Sequence, residues 1–348
     1  MMHFCKWALK KIKLFVLFWT RIVFVKNNFK VSFIRKLQMN FCGGYLADQY
    51  VLYDLKHNDK SEYLSEFDWY RSRYINQPFD FVLNNKVVCT EVLNRYIRMP
   101  VNYFIKNKGV LYDEYGEVSD NKAVIKVLKD KDRLVLKPFA LGKGRGVHVL
   151  SANKEELFID GNVVIEDDIF DLITARDGFI ISEFMRQHGY AHELYPETVN
   201  TIRLITVRDR ETSKWEIIFA VQRIGTSKTI PVDNGSKGGL VSKIDLELGT
   251  LSEARSLHSL DVFYTHPDSG AEIVNTRIPG WGNIKKEVIE VADRLPYLNY
   301  IAWDLLLTED GVCVIEANTS SGVNIIQLWG GQRNGVLGEA LRSYGVIS

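Results

Sequence analysis

Three oxygen-bearing residues near the C-terminus have the types and spacing to hold a hard cation. Asp304 lies inside the apolar run Ile301-Ala-Trp-Asp-Leu-Leu-Leu307, and Glu316 and Asn318 close the run Val312-Cys-Val-Ile-Glu-Ala-Asn. Residues two apart on a strand share a face, so Glu316 and Asn318 point the same way. The turn Thr308-Glu-Asp-Gly311 would bring Asp304 beside them. Two carboxylates and one amide oxygen on a single face suit Mg2+, which bridges carboxylates and nucleoside phosphates. Three polar groups at a sheet edge are the plainer reading, but carboxylates in strands this apolar are costly unless paired or metal-bound.

A second group of residues suits an anion. Arg133-Leu-Val-Leu-Lys137-Pro138 and Gly146-Val-His-Val-Leu150 read as paired strands joined by Ala140-Leu-Gly142-Lys143-Gly144-Arg145. A glycine-rich connection lets backbone N–H groups approach an anion closely, because no Cβ intervenes. Lys143 and Arg145 add positive charge, and Lys137 would project towards the same anion. No Gly-Lys-Ser/Thr follows and the turn leads into a strand, so this is not a P-loop. Taken alone, an ordinary hairpin with solvated lysines fits as well. Arg203 and Arg223 also fall in strand-like sequence, where a guanidinium either grips phosphoryl or acyl-phosphate oxygens bidentately or forms a structural ion pair.

The elements that must position these residues read as a mixture. Further strands are expected over 178–184, 201–207, 215–224, 300–307 and 312–317, and helices over 46–73, 87–96, 285–295 and 336–344. Asn85 can cap the helix over 87–96, and Met99-Pro100 would end it. The fold class is α+β.

Composition narrows the function. The 348 residues carry 44 basic and 43 acidic side chains, and a net charge of +1 excludes a chain built for nonspecific nucleic-acid binding. With 46% hydrophobic and 12% aromatic residues the chain packs rather than staying disordered. Cys5, Cys42, Cys89 and Cys313 are too scattered for a zinc or redox site and read as buried hydrophobes in a reducing compartment.

The charge balance hides a skewed N-terminus. The first acidic residue is Asp48, preceded by Lys6, Lys10, Lys11, Lys13, Arg21, Lys26, Lys30, Arg35 and Lys36. The apolar run Leu14–Trp19 is too short to span a bilayer, and Thr20-Arg21 stands where a signal peptide would need small residues. Two readings stay open for residues 1–36: a helix packed on the domain through its aromatic face, or a basic, aromatic helix lying on an anionic membrane surface.

A phosphate-cradling hairpin followed by a distant Asp … Glu-x-Asn strand pair resembles the ATP-grasp superfamily, in particular its branch of sugar-transfer and α-L-glutamate-ligase-like enzymes. The resemblance runs from about Asn85 to the C-terminus and leaves residues 1–60 outside. Asn85-Lys86 is similar to the family's Asp-Lys, with Asn85 departing from it, and implies that Lys86 contacts ATP phosphate. Lys137 matches the strand lysine, and Gly142, Lys143, Gly144 and Gly146 the flexible loop. Ile181-Ser-Glu183-Phe-Met185 resembles the hinge strand that reads adenine, which assigns Glu183 and Met185 to the nucleotide. His188 follows as a positioning residue, with a core histidine as the alternative. Asn200-Thr-Ile-Arg203 matches a stretch of the sugar-transfer branch, and Arg223 … Asn234 … Gly238-Gly239 a segment near the γ-phosphate and acceptor. Asp304, Glu316 and Asn318 take the magnesium positions.

The resemblance implies two α+β subdomains gripping ATP behind a helical extension. The expected divisions are an extension over 1–60, an N-terminal portion over 61–130, a glycine-loop lid over 131–185 and a catalytic subdomain over 186–348. It implies an ATP- and Mg2+-dependent carboxylate–amine ligase, with Mn2+ as a substitute, joining an amine such as an amino acid to a sugar acid in surface-polysaccharide synthesis. Such an enzyme would be cytoplasmic, with any membrane contact at the inner face. A phosphotransferase acting on a sugar hydroxyl and a noncatalytic nucleotide-binding scaffold are the alternatives, the latter disfavoured because all three metal positions are filled.

Overall fold

A computed structural model describes residues 2–139 and 144–348. Its described strands form two seven-stranded sheets in which every neighbouring pair is antiparallel. The first contains β1 (Asn102–Asn107), β2 (Val110–Asp113), β3 (Arg133–Pro138), β4 (His148–Ala152), β5 (Leu157–Ile159), β6 (Asn162–Val164) and β7 (Phe179–Glu183), in the order β2-β1-β7-β3-β4-β5-β6. The second contains β8 (Ile202–Arg208), β9 (Trp215–Ile224), β10 (Leu240–Ile244), β11 (Leu251–Ser256), β12 (Val262–Phe263), β13 (Tyr300–Thr308) and β14 (Gly311–Asn318), in the order β12-β11-β10-β9-β8-β13-β14. The first sheet therefore draws on both 61–130 and 131–185.

Each sheet buries apolar side chains against helices. Helices Asn121–Lys131 and Glu166–Thr174 pack Val124, Leu128, Ile169 and Ile173 onto Leu134, Leu136, Leu150 and Phe179 of the first sheet. The second sheet is covered on both faces: helix Trp281–Asp293 meets Ile301, Trp303 and Leu305 on one, and helix Val336–Ser343 meets Ile205, Val207 and Ala302 on the other. All nine residues of β13 are buried for that reason, and a strand covered twice reads as a continuous apolar run. Asp304 is thus carried into the interior by its neighbours.

Cys42, expected as a buried hydrophobe, is exposed, whereas Cys89 and Cys313 are buried, and two expected helices need correction. The stretch expected as one helix over 46–73 is broken into Ala47–Leu52, the short 3-10 turn Lys60–Glu62 and Glu66–Ser72, because Asp59 and Ser65 each accept a backbone N–H and start a new turn. The helix expected to run to residue 96 spans Lys86–Leu93 and stops before Met99-Pro100. Its cap is as expected: the Asn85 side chain accepts the N–H groups of Val87 and Val88 at 3.0 and 3.3 Å.

The N-terminal extension is helical over Met2–Phe18 and Phe33–Phe41. Leu14, Leu17, Phe18 and Ile22 pack against Phe67, Trp69, Tyr70 and Tyr74. Asp48 ties the intervening segment down, accepting the N–H groups of Asn28 and Phe29 at 2.9–3.0 Å.

Candidate active site

A cleft of about 1120 Å³ opens between the two sheets, with the extension forming part of its wall. Pockets for a small ligand measure roughly 300–1,000 Å³, so this cleft lies at the upper end of that range.

Strand register builds the centre of the cleft. Arg203 of β8 lies directly opposite Asp304 of β13, which lies directly opposite Glu316 of β14. Arg203 grips Asp304 bidentately, Nε donating to Oδ1 at 2.6 Å and Nη2 to Oδ2 at 2.9 Å, while Nη1 donates to Ser321 at 3.1 Å. Arg223 donates to the same Asp304 Oδ1 at 3.2 Å and to Asp233 Oδ1 at 2.5 Å. Burial opposes charge on both Arg203 and Asp304, but their mutual attraction outweighs it. Asp304 is held below the usual carboxylate value by Arg203 and then Arg223, and Arg203 is raised above its own. Asp233 moves the other way: burial raises it, only partly offset by Arg223 and by hydrogen bonds from Thr201 at 2.5 and 2.7 Å.

Two lysines line the same cleft. Lys86 Nζ lies 3.1 Å from Glu316 Oε2, and its backbone N–H donates to Phe139 O at 3.1 Å, tethering the helix start to the glycine hairpin. Lys137 on β3 is lowered to about 8, first by burial and then by Lys86. Such a site favours arrival of an anion, because triphosphate oxygens would neutralise two crowded ammonium groups.

The described part of the glycine loop bends over this site. Gly144 has φ +59°, and a Cβ there would sit 2.9 Å from Val232. Lys237 Nζ donates to Gly144 O at 3.2 Å, so the loop rests on the segment after β9. Gly146 has φ +69° and turns the chain back towards β4. Gly142 and Lys143 lie outside the described residues.

Other expected residues separate into those on the cleft and those behind it. Glu183 and Met185 line the cleft, with Val135, Pro100 and Ile315 making an apolar slot suited to a base. The Glu183 carboxylate is already engaged, accepting from Val101 N–H at 3.2 Å and pairing with Arg98 at 3.4 Å. Asn234 lines the cleft with its Oδ1 accepting from Ser236. Its buried Nδ2 has no hydrogen-bond partner among the described residues, so it is a donor suited to a ligand oxygen. Gly238, at φ +110°, closes the turn behind Asn234, and a Cβ on Gly239 would meet Asp233 O at 2.8 Å. These two glycines let the backbone hold Asp233 and Asn234 and do not line the cleft. His188 is also away from the cleft lining: its Nδ1 accepts from Tyr190 N–H at 3.2 Å and caps helix Gly189–Leu194.

Asp233, Thr201 and Ser321 complete the arginine network without having been singled out by the sequence. The only hint was an acid adjacent to Asn234. Among the described residues no three His, Cys, Asp or Glu side chains converge as a metal site. Glu316 and Asn318 nevertheless suit Mg2+, which binds through one or two carboxylates and takes its other ligands from phosphates and water, while Asp304, whose Oδ1 already accepts from both arginines, has only Oδ2 to offer it. Asn318 Nδ2 donates to Glu316 Oε1 at 3.1 Å, and no donor among the described residues reaches its Oδ1.

The sequence matches the family described as sugar-transfer associated ATP-grasp over residues 67–340. A search of curated proteins finds no match. Similar solved structures include the ADP complex of N5-carboxyaminoimidazole ribonucleotide synthetase (TM-score 0.40, 14% identity, covering 69% of this chain and 45% of that one). A second is the biotin carboxylase domain of Hydrogenobacter thermophilus 2-oxoglutarate carboxylase with MgADP, ADP and bicarbonate (0.42, 13%, 76% and 46%). A third is D-alanine–D-alanine ligase from Bacillus anthracis with ATP (0.36, 11%, 76% and 60%). The chain spans less than two thirds of the length of each. The matched family segment contains both sheets and every described residue of the arginine–carboxylate row, and the chain belongs to the sugar-transfer associated ATP-grasp family.

Proposed function

We propose that this chain is an ATP-dependent carboxylate–amine ligase that joins an amine, such as an amino acid, to a sugar acid during surface-polysaccharide synthesis in the cytoplasm. The observation that carries the reading is the row Arg203–Asp304–Glu316, with Lys86 in contact with Glu316, lining one cleft together with Lys137. Phosphoryl transfer needs positioning and charge neutralisation more than covalent catalysis, and this row supplies both. Lys86, Lys137 and Asn234 would hold phosphate oxygens, and Glu183 and Met185 the base. Arg203 and Arg223 would orient the carboxylate whose oxygen attacks the γ-phosphorus. Asp304, Glu316 and Asn318 would hold Mg2+, or Mn2+ in its place, which when bound neutralises phosphate charge. The carboxylate takes the phosphoryl group from ATP, ADP leaves, the amine attacks the acyl carbon, and phosphate departs as the amide forms. The loop around Gly144, resting on Val232, would keep water from the acyl phosphate.

The test is product release. A ligase yields ADP and inorganic phosphate in equal amounts only when carboxylate and amine are both supplied. ADP without phosphate would instead mark a phosphotransferase, and release of neither a binding module.

The same reading includes a peripheral contact of residues 1–36 with an anionic lipid surface. Leu9, Ile12 and Val16 share the side of the first helix opposite to the buried Leu14, and all three are exposed. Phe24, Phe33 and Ile34 are exposed nearby. Basic residues with no acidic partner before Asp48 suit anionic headgroups. No helix among the described residues is long and apolar enough to cross a membrane.

A further inference from the structure

The extension does more than cover the domain: Lys13, Arg21 and Lys26 line the same cleft as Lys86 and Arg203, together with Arg73. Arg73 is held in place by its aromatic neighbours, its guanidinium carbon lying 4.5 Å from the Trp69 ring centroid and 4.9 Å from that of Tyr70. Neither Arg21 nor Arg73 has a carboxylate at ion-pair distance among the described residues. The carboxylates nearby also receive uncharged donors. Asp48 accepts backbone N–H groups of Asn28 and Phe29, and Glu66 accepts from Tyr70 and Gln49. Burial lowers the pKa of Arg73; Tyr70 and Glu66 partly offset it, and Arg21, as a like charge, adds a smaller lowering. Asp80 also faces the cleft but forms no ion pair with either arginine among the described residues.

This basic cluster is wired to the reaction centre. The Trp69 indole that supports Arg73 donates to Ser320 at 3.0 Å, and the adjacent Ser321 receives Arg203. A ligand whose carboxylate sits at Arg203 and Arg223 would extend along this shared lining towards Arg73.

We propose that Arg21 and Arg73, flanked by Lys13 and Lys26, form a phosphate subsite for the acid substrate, which carries a phosphate or diphosphate group besides its reacting carboxylate. The inference rests on the ligase reading and names its substrate class: a phosphate-linked sugar acid rather than a free one. Paired guanidiniums match phosphate oxygens in geometry and charge, and both arginines line the same cleft as the reaction centre. The phosphate could belong to a nucleoside diphosphate or to a lipid diphosphate, which share this chemistry.

The experiment is calorimetric titration of inorganic pyrophosphate into full-length protein saturated with Mg2+ and a non-hydrolysable ATP analogue. Wild type should bind, and the double variant Arg21→Gln/Arg73→Gln should bind at least tenfold more weakly, with analogue affinity within about twofold of wild type. Because Arg73 also packs, the pair Lys13→Gln/Arg21→Gln, both solvent-exposed, should weaken pyrophosphate binding at least fivefold at an unchanged melting temperature. Pyrophosphate affinity equal to wild type in both variants, or no binding to wild type, would overturn the subsite. If the analogue itself fails to bind wild type, the nucleotide reading fails, while loss of pyrophosphate binding in the variants still supports the subsite. Displacement of pyrophosphate by a nucleoside diphosphate identifies a soluble substrate, and displacement only by a short-chain lipid diphosphate a lipid-carried one. Displacement by neither counts against the assignment.

Discussion

Arg203 and Asp304 face each other on adjacent strands as a fork-and-carboxylate pair, at 2.6 and 2.9 Å, and Asp304 is only 5% exposed. The same carboxylate receives Arg223, so its charge is shared between two guanidiniums even before any cation or phosphate is present. Loss of that charge would leave both arginines facing each other in a buried setting. Breaking a buried pair by removing one partner costs about 3–5 kcal/mol. Asp304→Asn should therefore lower unfolding free energy by about 3 kcal/mol in denaturant titration as well as abolish ADP release. Wild-type stability in this variant would show that the pair is not structurally important.

Glu316 provides the contrast. Its side chain is 25% exposed and that of its partner Lys86 15%, a half-buried pair at the cleft edge. Exposed or partly exposed pairs contribute about 0–1 kcal/mol, so Glu316→Gln should leave the melting temperature within a few degrees. Turnover should fall by about two to three orders of magnitude, the scale of losing one charge-stabilising group at a reacting centre. Normal ADP release by this variant in Mg2+ would remove Glu316 from the metal site.

Lys137 gives the site a pH signature. Its folded-state value of about 8 lies below the ordinary lysine value of 10.5, so it is charged below pH 8 and neutral above. Two consequences have opposite signs. The cost of burying its charge falls as pH rises from 8 towards 10.5, so the nucleotide-free protein gains stability there. Phosphate binding needs the ammonium, so the dissociation constant of MgATP should rise, approaching about tenfold per pH unit above 8. Lys137→Met should bind MgATP weakly at every pH and flatten this profile. A wild-type dissociation constant that stays level from pH 7 to 9.5 would contradict the assignment.

The residues that carried most sequence information were those whose neighbours were apolar. Asp304 stood out because a strand of nine buried residues tolerates a carboxylate only with a reason, whereas the glycine hairpin gained meaning only beside the Asp304, Glu316 and Asn318 set. The short strands β5, β6 and β12, of two or three residues, left no such periodicity. Asp233 was invisible because its partner Arg223 is ten positions away and its other partner Thr201 is thirty-two away, a meeting created by strand order alone. His188, read as either a positioning residue or a core histidine, uses its Nδ1 to cap a helix, a role that depends on where the chain turns after the hinge strand.

Gly144 links the lid to the second sheet. At φ +59° a non-glycine residue costs about 1–2 kcal/mol, and its Cβ would press on Val232 at 2.9 Å. Gly144→Ala should therefore destabilise the closed loop specifically, raising KM for ATP about fivefold or more with little change in melting temperature. Increased phosphate release without amide product would accompany this, because an open loop admits water to the acyl phosphate. Unchanged KM and unchanged coupling of phosphate to amide would separate this loop from catalysis.

The outer face of the first helix makes a prediction independent of chemistry. Leu9, Ile12 and Val16 are 57%, 59% and 50% exposed, whereas Leu14 on the opposite side is 6% exposed. Fully burying an aliphatic side chain is worth about 1.5–3 kcal/mol, so inserting three of them partway into a headgroup layer should contribute several kcal/mol. The triple variant Leu9→Ser/Ile12→Ser/Val16→Ser touches nothing in the packed stripe and should fold normally. In co-sedimentation with anionic vesicles its partition coefficient should fall at least tenfold below wild type. Wild-type binding should also weaken from 50 to 500 mM salt, as about 10 Å of screening length shrinks and the lysines lose their attraction. Equal sedimentation of wild type and variant, or of wild type with anionic and neutral vesicles, would leave the exposed leucine, isoleucine and valine without a lipid partner and assign the extension to the cleft wall alone.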